Sequence, residues 1–184
     1  MYEAKQIAKW FINRAGESTK LGGEYLTQLK LQKLMYYAQG FYFVFENKPL
    51  FNDVILAREF GPVVNTIVKQ IKKHANNPIK EEFNSANDIT DPSVINILEF
   101  VFEKVGQFSA YALVSLTHNE QPWKNAKQGQ EISSEEICQY FRDKYIINFD
   151  KKNKFNITEE DILNISFENI YQENKHAFEV LAKC

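Results

Sequence analysis

The sequence predicts a mainly α protein: a compact multi-helix domain with at most a small β element near residues 51–60 or 78–90. Three observations carry this. Apolar residues recur at three- and four-residue spacing through most of the chain, the period of an amphipathic helix. Helix-start signals, either a capping residue before proline or a capping box, stand where several periodic runs begin. The composition, 15 Phe, 9 Tyr and 2 Trp against 7 Gly and 5 Pro in 184 residues, gives much apolar surface to bury and few forced turns.

In chain order, Ala4, Ile7, Ala8, Phe11 and Ile12 share one face and predict a first helix over 3–14, ended by Gly16, Gly22 and Gly23. Thr27 reads as the N-cap of a second helix whose stripe is Leu31, Leu34, Met35, Ala38, Phe41, Tyr42 and Phe45. Leu29, Tyr36, Tyr37 and Phe43 lie outside that stripe, so the helix is apolar nearly all round. Such a helix belongs in the centre of a domain. "VILAREFGPVV" (54–64) then offers a short strand or extended run. Pro62 is expected to open a third helix through Ile71, because a proline in the first turn lacks only an N–H that would have no intrahelical partner. A polar loop follows.

Asp91-Pro92 opens a helix carried by Val94, Ile97, Leu98, Val101, Phe102 and Val105 as far as Gly106. Ser109 caps a helix over 110–116, and Pro122 begins one more short turn. The intervening "THNEQPW" therefore reads as an elbow between helices. Ser133 with Glu136 forms a capping box and Ile132 with Ile137 a hydrophobic staple, giving a helix from 134 to about 146. Beyond it, a basic link and a second box, Thr158 with Asp161, predict a last helix to about 182. The domain is accordingly assigned to 1–147. Residues 148–184 form a linker and an acidic amphipathic helix that either packs on the domain or docks into a partner.

With 22 basic and 24 acidic residues the chain lacks the cationic field that drives phosphate binding. Two basic clusters, Lys69, Lys72, Lys73, His74 and Lys80, and Arg142, Lys144, Lys151, Lys152 and Lys154, read as solvated faces, with DNA binding as the alternative. The amphipathic N-terminus and the lack of any apolar run near the ~18 residues of a membrane span suggest a soluble cytoplasmic protein. Cys138 and Cys184 supply neither a disulfide framework nor paired thiolates, and His74, His118 and His176 form no metal-binding pair, so neither metal nor cofactor is expected. No phosphate-binding glycine loop is present. His118 stands beside Thr117, Glu120 and Trp123. It could act as a base, but no nucleophile motif accompanies it, and a hydrolase built on His118 and Cys138 ranks last. The structural alternative is that His118 caps the last carbonyls of its helix while Trp123 fills a groove between helices.

Three blocks also carry a family pattern: "LTQLKLQKLMYYAQGFYFVFENKPLF" (26–51), "AREFGPVV" (57–64) and "FSAYALVSLTHNEQPWKNA" (108–126). In this order and spacing they resemble the Panacea domain, the SocA-like antitoxin domain often described as phage-associated. The resemblance covers about residues 5–130. It implies a mostly helical antitoxin without catalysis that neutralises a neighbouring toxin by direct protein binding, or an adaptor that delivers the toxin to a AAA+ protease. The pattern falls on Gln32, Lys33, Tyr36, Tyr37, Gln39 and Gly40, on Gly61 and Pro62, and on Thr117, His118, Pro122 and Trp123. Most of these positions suit folding tasks. Gln32, Gln39 and His118, polar and without an evident core role, suit a polar network or toxin contact.

Overall fold

The computed structural model describes residues 1–71, 74, 77–80 and 89–145. The helix expected after residue 148 lies outside them. The described residues form seven α-helices and one two-stranded antiparallel hairpin: α1 (Ala4–Thr19), α2 (Gln28–Glu46), β1 (Ile55–Arg58), β2 (Gly61–Val64), α3 (Asn65–Ile71), α4 (Pro92–Phe100), α5 (Ala110–Asn119), α6 (Gln121–Asn125) and α7 (Ser134–Tyr145). The protein is mainly α, as its periodicity predicts. No helix among the described residues is long and apolar enough to cross a membrane.

The central position of α2 follows from its all-round apolar sequence. Every residue from Leu31 to Val44 is buried, and the helix packs on α1, α4, α5, α7 and β2. Tyr36, Tyr37 and Phe41 meet Phe141 of α7 with ring centroids 5.2–5.7 Å apart, edge-on geometry that suits aromatic quadrupoles. Gly40 makes that approach feasible, because a Cβ there would stand 2.4 Å from the Phe141 ring. Thr27 caps α2 through Lys30 N–H, and Asn47 ends it in the left-handed conformation.

Helix α1 runs past its expected end. Gly16 costs a helix interior only about 1 kcal/mol, and buried Ala15 extends the apolar stripe. The break comes where Gly22 takes a positive φ and Gly23 N–H returns to the Ser18 carbonyl. The cap at Asp91 forms on Ser93 N–H, and after Phe100 the helix continues as one π turn (Val101–Val105) before Gly106. Ser109 caps α5, which reaches Asn119 instead of stopping near Leu116. Ser133 caps α7 through Glu136 N–H.

Pro62 corrects one expectation. It opens no helix: it lies in β2 opposite Ala57, and α3 starts at Asn65. The decisive residue is Gly61, whose φ of +93° reverses the chain after Arg58 and sends it back along β1. The missing N–H is harmless here. Ala57 points its own N–H and carbonyl away from β2, toward Gln130 and Gly129, so the Ala57–Pro62 pair needs no bond from proline.

Candidate functional site

The three sequence blocks converge on this hairpin. From α2, Gln32 accepts the Val64 N–H on Oε1 (2.6 Å) and Lys33 Nζ donates to the Pro62 carbonyl (3.0 Å). These two side chains occupy the edge of β2 that faces away from β1. The outer edge of β1 is paired by 129–132, through Ala57 N–H to Gln130 O and Ile132 N–H to Ile55 O. A two-stranded hairpin is marginal by itself. Here side chains and loop backbone complete both of its edges.

The turn of the hairpin is held from the other side by the elbow. Glu120 is extended (φ −83°, ψ 140°) and serves as both the C-cap of α5 and the N-cap of α6, with Pro122 in the first turn of α6. Trp123 Nε1–H donates to the Arg58 carbonyl at 3.0 Å. The Trp123 ring lies nearly parallel to His118, centroids 4.0 Å apart, and His118 hydrogen-bonds the backbone of Glu59. His118 thus holds the hairpin turn, a different task from the expected capping of its own helix. Thr117 donates to the Leu113 and Val114 carbonyls. Its Oγ1 and Lys33 Nζ would each stand 2.6 Å from a Cβ on Gly61, so the backbone of the hairpin fits against the clamp only because residue 61 has no side chain.

Below the turn lies a buried charged group. The elbow aims Glu120, only 2% exposed, at Tyr37, whose hydroxyl donates to Oε1 at 2.6 Å. Lys33 is fully buried. Burial lowers its pKa to about 7, although the negative charge of Glu120 pulls it upward. Burial, then the charge of Glu120 and the hydrogen bond to it, raise the Tyr37 phenol well above its ordinary value. His118 is lowered by burial and by the charge of Lys33, partly offset by its bond to Glu59.

Of the other pattern residues, Gln39 bonds the Leu50 and Phe51 N–H groups and the Phe51 carbonyl, and Tyr36 packs edge-on against Phe141. Both are buried. Cys138 is half-buried on α7, its thiol pushed up by burial, and among the described residues no group of three His, Cys, Asp or Glu is placed to hold a metal. The donors and acceptors of the constellation fix a turn. The sequence named Lys33 and Glu120 without singling them out. The available signal was a lysine inside the apolar run "LQKLMYYAQG", which only the burial of the whole helix converts into a core charge.

A family model described as antitoxin SocA-like, Panacea domain, matches residues 31–124, just over half of the chain and the whole clamp from Gln32 to Trp123. The chain belongs to this family. Antitoxin SocA of Caulobacter vibrioides (strain NA1000 / CB15N) is 30% identical to this Panacea protein over 109 residues, covering 53% of this chain and 58% of that relative. The chain thus spans a little over half the length of the curated relative it matches. No solved structure matches it. In this Panacea domain most of the pattern positions join α2, the hairpin and the α5–α6 elbow, while Tyr36 and Gly40 pack α2 against Phe141 and Gln39 holds the backbone of residues 50–51.

Proposed function

We infer that the protein is an antitoxin that neutralises a cognate toxin by direct protein–protein binding and performs no catalysis of its own. The observation that carries this reading is family membership, joined to the name of the relative. The geometry is compatible with it in one respect. The buried polar groups act on the hairpin, and the turn they hold leaves Phe60 52% exposed at its tip. A rigid exposed aromatic suits a binding surface, because little entropy is lost when it is covered.

The test is growth rescue. The gene adjacent to this one is expressed from an inducible promoter with and without the protein. Arrest by the neighbour alone, rescue by this chain and recovery of both proteins as one complex support the reading. Rescue accompanied by loss of the neighbour's product, dependent on a AAA+ protease and without a stable complex, replaces it with delivery for proteolysis. No arrest, together with DNA binding that weakens steeply with salt, replaces it with a regulator.

A further inference from the structure

Beside the clamp, on its outer face, α2, the hairpin, α3 and the start of α5 line an open groove of about 540 Å³. That is within the ~300–1,000 Å³ typical of ligand clefts. Its walls are Leu29, Phe60, Val63, Val68 and Tyr111, of which Phe60 and Tyr111 are 52% and 60% exposed. An independent feature marks the same place. Gln32 lines the groove while being 1% exposed, and its Nε2 has no hydrogen-bond partner among the described residues. The orientation of this amide is fixed, since Oε1 already accepts from Val64 N–H. The remaining donor therefore requires an acceptor.

We propose that this groove docks an extended, uncharged peptide segment of a partner protein, with one bulky apolar side chain between Phe60 and Tyr111 and one main-chain carbonyl on Gln32 Nε2. Strand addition is closed off, because both outer edges of the hairpin are occupied; recognition must come from side chains and the single amide. The ionic residues at the groove are Arg58 and Glu59, of opposite sign, and the rest of its polar rim is Gln28, Asn65 and Gln128. A neutral segment matches that rim, and a charged one gains nothing from it. A main-chain carbonyl suits the donor because an extended segment leaves its carbonyls open, whereas a helix uses all but its last turn. Identifying the partner as the toxin rests on the antitoxin reading; the chemistry of the groove does not.

Random short peptides displayed on phage and panned against the full chain provide the test. The expected result is enrichment of neutral sequences with a bulky apolar residue, whose binding falls roughly tenfold or more in Phe60→Ala and in Tyr111→Ala at unchanged melting temperature. Gln32→Glu, which keeps the acceptor for Val64 and removes the donor, should weaken the same peptides. No enrichment, a charged consensus, or indifference to both aromatic variants overturns the proposal. So does a photo-crosslinking amino acid at position 111 that captures residues 146–184 or a second copy of the chain in place of the peptide. In the growth assay, rescue by the doubly substituted chain overturns the groove as toxin site and leaves the antitoxin reading standing. Failure of the unsubstituted chain to rescue, with peptide binding as expected, overturns only the antitoxin reading.

Discussion

Lys33 Nζ reaches from the buried face of the central helix to the carbonyl of Pro62, 3.0 Å away, so the proline inside β2 is held by a lysine with no exposed surface. This contact places a titratable charge directly under the hairpin.

It makes stability depend on pH in a definite direction. Lys33 titrates at about 7 when folded against an ordinary 10.5, so between these values the unfolded chain binds the extra proton. Stability therefore rises with pH from about 7 toward 10.5, by up to about 1.4 kcal/mol per unit. Below 7 the full cost of a buried ammonium is present. Chemical denaturation of the protein and of Lys33→Met at pH 7 and about 9.5 should show the unsubstituted chain gaining on the variant. A constant difference would mean that Lys33 is not the group responsible.

His118 should act in the acid range. Its folded pKa is lowered from 6.5 by burial and by Lys33, so the unfolded chain takes up the proton first. The stability this adds is present above about 6.5 and is lost as pH falls through the lower folded value. Relative to His118→Gln, which cannot titrate, the unsubstituted chain should lose ground between pH 7 and 5. Nuclear magnetic resonance titration of the imidazole would locate the transition directly.

Gly61→Ala should be among the most damaging single-carbon additions. It combines a φ of +93° with contacts of 2.6 Å to Lys33 Nζ and Thr117 Oγ1, which together should cost about 2–4 kcal/mol. The denaturation midpoint should fall with the slope unchanged.

Gly40→Ala isolates packing from propensity. Alanine favours a helix over glycine by about 1 kcal/mol, yet its Cβ would stand 2.4 Å from the buried ring of Phe141. Overpacking should win, with a net loss of about 1–3 kcal/mol. A variant as stable as the parent would show that α7 moves aside readily.

Much of this protein was legible in its residues one segment at a time. Within the described residues periodicity located the helices, Thr27, Asp91, Ser109 and Ser133 marked starts as capping chemistry requires, and the all-round apolar run from Leu31 to Val44 identified the central helix. The blocks that proved to join α2, the hairpin and the elbow were also visible as a family pattern. What the sequence left undecided were choices between two locally acceptable conformations. Pro62 suits a first helical turn or an unbonded strand position; it took the strand because Gly61 could turn the chain and Gln32 and Lys33 could complete the far edge of β2. Lys33 and Glu120 would ordinarily be read as solvated charges, since nothing local tells an exposed helix face from a covered one. The exposure of Phe60 and Tyr111 was equally hidden, because an aromatic residue is expected to be buried unless the fold leaves it uncovered. Capping and periodicity are short-range and can be read from neighbours in the chain, whereas burial, clamp partners and the groove depend on residues 29–83 positions apart.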